Sequence, residues 1–174
     1  EELLLMAGRK PTMTTRFLDY HPDFSGHWKL DAKSSKNIHT YAVYELDIDH
    51  RGTVFTQTTT ARYHLYLHHR ELKTSKTLVI GGAPVASLEE DPRRVGFMAG
   101  QTDSIHTRAG WSEDGKALIL TLEMTLQTSQ GTFPFSAVNR YVLSEDRMTL
   151  TVTETRPTRE NPAPTRIFVY RRIL

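Results

Sequence analysis

Hydrophobic and polar residues alternate with a period of two along most of the chain. In residues 117–127 the even positions are Leu118, Leu120, Leu122, Met124 and Leu126, while Thr121, Glu123, Thr125 and Gln127 take odd ones. A strand with one buried face reads this way. Residues 132–143 repeat the pattern, with Phe133, Phe135, Ala137 and Tyr141 on one side and Ser136 and Arg140 on the other. Residues 147–155 alternate Met148, Leu150 and Val152 with threonines. Further strands are predicted at 24–31, 41–49, 53–60, 77–80, 95–98, 104–111 and 166–172.

Turn chemistry falls between these runs. His50-Arg51-Gly52, Glu113-Asp114-Gly115-Lys116, Ser129-Gln130-Gly131 and Glu145-Asp146-Arg147 all suit hairpin connections. Eight to ten short strands joined in this way predict an all-β sandwich or barrel built as an up-and-down meander. Pro157, Pro162 and Pro164 predict a longer hairpin loop over 156–165. Ser112-Glu113-Asp114, with Leu118 and Leu120 behind it, is echoed by Ser144-Glu145-Asp146 with Leu150 and Val152. The echo reads as one local turn used twice, not as a solenoid repeat. Two segments break the pattern. Residues 61–73 alternate through Tyr63, Leu65 and Leu67 but end in a stretch equally compatible with a helix. Residues 14–20, with Phe17, Leu18 and Tyr20, suit a short helix lying over a barrel end as a lid.

The 174 residues suffice for one domain with a sizeable core. The expected division is an N-terminal arm over 1–22 and a barrel domain over 23–174. Met6 and Met13 are both candidate starts, so residues 1–13 are expected to be in part a tag or upstream read-through. Basic and acidic residues number 22 and 20, a balance that gives no electrostatic reason to expect nucleic acid as a partner. With no cysteine, disulfides, thiolate chemistry and sulfur-ligated zinc are excluded. No run approaches the roughly 20 apolar residues of a membrane helix. The run Leu3-Leu4-Leu5-Met6-Ala7 is too short for a signal-peptide core and follows two glutamates. A cytoplasmic monomer or homodimer is expected.

Four pieces carry a family resemblance. Phe24-Ser25-Gly26-His27-Trp28-Lys29-Leu30-Asp31 resembles the Gly-x-Trp opening of the lipocalin and fatty-acid-binding superfamily (the calycins). It is closer still to bacterial lipocalin-like domains that begin F-S-G-x-W-x-L-D. Trp111-Ser112-Glu113-Asp114-Gly115-Lys116 with Leu118 is similar to their W-x-D-G-x-x-L hairpin. Tyr141-Val142-Leu143-Ser144-Glu145-Asp146 with Thr149, Leu150 and Thr151 is similar to a later hairpin, and Val169-Tyr170-Arg171-Arg172 to the closing strand. The resemblance implies a closed antiparallel up-and-down barrel. It also implies that Trp28 stoppers one end, with Gly26 allowing close approach and Arg171 or Arg172 packing on the indole.

The expected function is binding of a small hydrophobic molecule inside the barrel. The lining is expected from Leu118, Leu120, Leu122, Met124, Phe133, Phe135 and Tyr141, with Phe97 and Trp111 nearby. Arg140, beside Tyr141, is a candidate cation for a ligand carboxylate, with an outward salt bridge as the alternative for it and for Arg166. The fatty-acid-binding proteins use an Arg-x-Tyr on the last strand for this purpose, whereas Arg166-Ile167-Phe168 here lacks the hydroxyl. The rival expectation is a cofactor-independent enzyme on the same barrel, an isomerase or pericyclic cyclase whose shape preorganises its substrate. A filled barrel serving as an interaction module is the third. No metal site or cofactor is expected: His64 and His68 on a single strand would sit about 13 Å apart, beyond the reach of zinc–nitrogen bonds of about 2 Å. His106, Glu45, Asp47, Glu123 and Tyr66 form no recognisable catalytic constellation.

Overall fold

The structure, a computed structural model, describes residues 21–38, 42–65, 68–87, 99–101, 104–156 and 165–174. These residues form strands and no helix. The strands are β1 (Gly26–Leu30), β2 (Ala42–Arg51), β3 (Val54–Leu65), β4 (His68–Val79), β5 (Val85–Ser87), β6 (Ala99–Gln101), β7 (Ile105–Trp111), β8 (Leu118–Thr128), β9 (Gly131–Leu143), β10 (Thr149–Thr155) and β11 (Arg166–Ile173). Ten of them lie side by side in the order β4-β3-β2-β1-β11-β10-β9-β8-β7-β5. Every pairing along that path is antiparallel. β6 pairs with the far part of β8, in line with β7.

The result is a nearly closed up-and-down barrel, as the alternation predicted. β1 meets β11 through Trp28↔Arg172 and Leu30↔Tyr170, so the first strand lies beside the last. The remaining seam separates β4 from β5. At one end it is spanned by a parallel bridge from Ile80 to Ala109 and by a Gly81 N–H donating to the Ala109 carbonyl at 2.8 Å.

The strongest alternations became the strands with the cleanest inner faces. Leu118, Leu120, Leu122 and Met124 are buried, as are Ala137, Asn139 and Tyr141 opposite them. Leu150, Val152, Phe168 and Tyr170 continue the inner wall. In residues 61–73 the strand-like start is β3, which runs on to Leu65, and the end that suited a helix is instead the start of β4, which begins at His68 in a hairpin. The predicted strand at 77–80 is the end of β4; the rest of β4 carries no clear alternation, because its inner-facing positions Leu72, Thr74 and Lys76 are too mixed. β5 and β6, three residues each, carry no periodic signal. The predicted strand at 95–98, the proposed lid at 14–20 and most of the loop at 156–165 lie outside the described residues.

One end of the barrel is plugged. Trp28 is fully buried, and its Nε1–H donates to the Phe24 carbonyl at 3.1 Å. The Arg172 guanidinium lies 4.3 Å from its ring centroid. Arg172 also donates from Nε to the Arg147 carbonyl at 2.9 Å and from Nη1 to the Ser25 carbonyl at 2.8 Å. A Cβ at Gly26, where φ is +147°, would stand 2.5 Å from Arg172 Nη1. Position 26 therefore has no room for a side chain while that contact holds. Arg171 points outward and pairs with Asp31 at 3.2 Å.

The two Ser-Glu-Asp turns share one geometry. Ser112 Oγ accepts from the Ala117 N–H, while Asp114 accepts from the Ser112 hydroxyl and the Lys116 N–H. Ser144 Oγ likewise accepts from the Thr149 N–H, and Asp146 from the Ser144 hydroxyl and the Met148 N–H. Gly115 and Arg147 occupy the equivalent left-handed position, with φ of 67° and 57°.

Two predictions follow from the plug and the turns. Replacing Arg172 by Ala removes a cation–π contact and two hydrogen bonds. A loss of about 1–3 kcal/mol is expected in urea unfolding, with tryptophan emission shifted to the red. In both turns the serine hydroxyl, then the following N–H, hold the aspartate below its ordinary value of 3.8. A lowered native value means that the ionised form stabilises the fold above about pH 4 and that this stabilisation fades as pH falls through the native value. Thermal melts should therefore show the transition temperature dropping between about pH 5 and pH 2, and an Asp114→Asn, Asp146→Asn double variant should flatten that drop.

Candidate functional site

The barrel interior has three zones. Its waist is lined by small or polar side chains: Gln57, Thr59 and Ala61 from β3, Thr107 and Ala109 from β7, and Ala137 and Asn139 from β9, all buried. Tyr141 donates its hydroxyl to Gln57 Oε1 at 2.9 Å, and Gln57 Nε2 donates to Thr59 Oγ1 at 3.1 Å. This chain of buried polar groups crosses from β9 to β3 and satisfies both ends of the glutamine amide.

The zone away from the plug is charged. Glu154 ends the inner face of β10 and is only 3% exposed. Its register partners are Asn139 on β9 and Arg166 on β11, both inward-facing positions. Arg156, one step past the end of β10 with the same parity, donates from Nε to Glu154 Oε1 at 2.7 Å. Arg166 Nη1 stands 3.8 Å from the same oxygen. The Arg156 guanidinium also lies 5.2 Å from the centroid of Phe135. Its Nη2 is shielded from water, with no hydrogen-bond partner among the described residues. A buried donor left in that state costs about 1–3 kcal/mol.

The third zone is the plugged end. Phe24 packs against Trp111, His50 and Tyr141, with ring centroids 6.2, 6.0 and 6.4 Å away. His50 lies 5.9 Å from Phe55 and 5.8 Å from Trp111. His21 stacks on the indole of Trp111 at 4.1 Å and 6°. Outside these rings lies a cleft of about 680 Å³, lined by His21, Asp23, His50, Gly52, Thr53, Ile80, Gly81 and Trp111. Asp23 titrates below its ordinary value: partial burial works upward, but hydrogen bonds from Ser25 and the nearby His50 and Arg147 outweigh it. Among the described residues no group of three His, Asp or Glu side chains could hold a metal ion.

The sequence-predicted residues divide as follows. Leu118, Leu120, Leu122, Met124 and Tyr141 are buried on the inner wall. Phe135 is half-buried there, whereas Phe133, of the same parity, is 46% exposed near the end of β9. Trp111 belongs to the plugged end rather than to the waist. Arg140 is a correction: it lies exposed on the outer face, because Asn139 and Tyr141 take the inward positions of β9. It cannot receive a ligand carboxylate inside the barrel. His106 and Glu123 are exposed cross-strand neighbours on the outer wall. Phe97 lies outside the described residues. His64 and His69 are register partners across the β3–β4 hairpin, not residues of a single strand.

Glu154, Arg156, Arg166, Gln57, His21 and His50 were missed as site residues. For Glu154 and Arg156 a signal existed, since the even parity of Leu150 and Val152 extends straight through them. For Gln57 there was none, because threonines occupy both faces of β3. No family model matches the chain, and neither does any curated protein. Among the described residues, no helix is long and apolar enough to cross a membrane.

The polar chain at the waist yields its own prediction. Tyr141→Phe keeps the ring but leaves the buried Gln57 oxygen without its donor. A loss of about 1–3 kcal/mol is expected in denaturant unfolding, and the double variant Tyr141→Phe, Gln57→Leu should recover part of it.

Proposed function

We propose that the barrel binds a small, mainly apolar molecule in its interior, between the plug and the charged end. The observation that carries this reading is the composition of the waist. Barrel diameter grows with strand number, and eight strands already leave room only for side chains or one small ligand. Ten strands here enclose a waist whose wall on three strands includes Thr59, Ala61, Thr107, Ala109 and Ala137 beside the larger Gln57 and Asn139. Residues of that size fill little of the enclosed width. Leucines and Met124 on β8 supply the apolar wall, and the Tyr141–Gln57–Thr59 chain supplies the few oriented polar groups that ligand pockets use. The resemblance of the Gly26–Trp28 opening and of the two Ser-Glu-Asp hairpins to lipocalin-like domains supports the same reading.

The test is titration with neutral apolar probes, retinol and 1-dodecanol, followed by emission of Trp28 and Trp111 and by calorimetry. Saturable binding in the micromolar range is expected, and Ala137→Phe, which places a ring opposite Leu122, should weaken it by at least about tenfold. If neither probe binds, or if the filled variant binds as well as the parent, the interior is not the site.

A further inference from the structure

We infer that the cleft outside the plugged end is a second binding site and that it takes a small organic ammonium ion with an apolar body. The cleft shares no lining residue with the waist, so the inference stands or falls apart from the interior reading.

Specific bonds hold the walls of this cleft. His21, ahead of β1, lies flat on Trp111 at the end of β7, and its Nδ1–H donates to the Gly115 carbonyl at 3.1 Å. In the neutral ring that bond places the proton on Nδ1 and leaves Nε2 as an acceptor. The fit is close, since a Cβ at Gly115 would stand 3.2 Å from the His21 ring. His50 is buried, and both of its ring nitrogens are in use. Nε2–H donates to the Gly52 carbonyl at 3.0 Å, while Nδ1 accepts the Phe24 N–H at 3.4 Å. Ser25 ties the segment before β1 to the end of β2. Its hydroxyl accepts from the His50 N–H and donates to the His50 carbonyl, and its own N–H donates to Asp23 Oδ1 at 2.9 Å. The Asp23 carboxylate is thereby oriented.

These walls offer acceptors and negative charge. Asp23 is the one acidic residue lining the cleft, and no lysine or arginine lines it among the described residues. Held below its ordinary value, Asp23 is ionised at neutral pH. Its side chain is 60% exposed, so a ligand reaches it without breaking a buried pair. One oxygen holds the Ser25 N–H; the other, together with His21 Nε2, can receive N–H donors. An ammonium group brings both the charge and the donors that this set accepts, whereas an anion meets Asp23 as a like charge. The volume of about 680 Å³ is far larger than a bare ion and lies in the range of small-molecule sites. Ile80 and Trp111 supply apolar contact for the body of the ligand. The attraction is moderate, because exposed ion pairs are weak and the charge of Arg147 also reaches Asp23.

The experiment uses the isotope-labelled full chain and follows the two indole N–H resonances by NMR. Titration with 2-phenylethylamine should shift the Trp111 resonance saturably, with Kd below about 1 mM, and leave that of Trp28 in place. The neutral analogue 2-phenylethanol, alike in shape, should bind at least about fivefold more weakly. Added salt should weaken the amine and leave the alcohol unchanged. Asp23→Asn keeps the oxygen that accepts the Ser25 N–H, and it should bring the amine down to the level of the alcohol. Ala137→Phe, which fills the waist, should leave amine affinity within about twofold. If Asp23→Asn perturbs the fold, Thr53→Trp, which fills the cleft from an exposed position, decides in its place and should abolish amine binding. Equal affinity for amine and alcohol would overturn the ammonium assignment. Amine binding that survives both cleft variants, or that Ala137→Phe abolishes, would overturn the cleft as its site. Absence of amine binding would overturn the inference whatever the apolar probes do in the interior.

Discussion

The contact on which the rest of the barrel depends is the pairing of β1 with β11, locked by Arg172 over Trp28. It joins residues near opposite ends of the sequence, so the chain must close a very long loop before that contact forms. Once formed, it sets the parity of the whole wall. A one-residue slip of β11 against β1 would lift Arg172 off the indole and turn Phe168 and Tyr170 toward solvent. The absent side chain at Gly26 belongs to the same lock, because only there can Arg172 reach both the indole face and the Ser25 carbonyl.

With the parity set, the interior acquires a direction. The plugged end is aromatic: Phe24 and His50 each pack on Trp111, His50 also on Phe55, and Trp28 is bound through its Nε1–H to the Phe24 carbonyl. The waist is narrow in side-chain volume and holds a single polar chain. The other end gathers Glu154, Arg156 and Arg166.

The fold was readable from the chain because strands with one wet face must alternate, and the inward positions of β8 are apolar throughout, while those of β9 and β10 break the pattern only at Asn139 and Glu154. Only the end of β4, at 77–79, was readable, and the reason is local: β4 borders the seam, so Thr74 and Lys76 can occupy inner-facing positions without apolar neighbours on both sides. The plug was legible through Gly26 and Trp28. The charged end was harder. Glu154 and Arg156 extend a clean alternation, yet hydrophobicity alone reads charged residues as the solvent face. Their inward placement follows from β10 running on between Asn139 and Arg166. Arg140 is the converse case: it neighbours Tyr141 in sequence but faces outward, because successive residues of a strand point to opposite faces.

A ring of strands has no privileged starting point. His27 stands opposite Ile173, so the two ends of the barrel's chain emerge side by side. The tip at Glu113, Asp114 and Lys116 is fully solvent-facing and sits at a tight hairpin. Joining the old ends with a short peptide and reopening the chain at that tip would leave the neighbour relations within the described sheet, other than the β7–β8 turn itself, unchanged. The order in which the strands are synthesised would change; their order around the barrel would not.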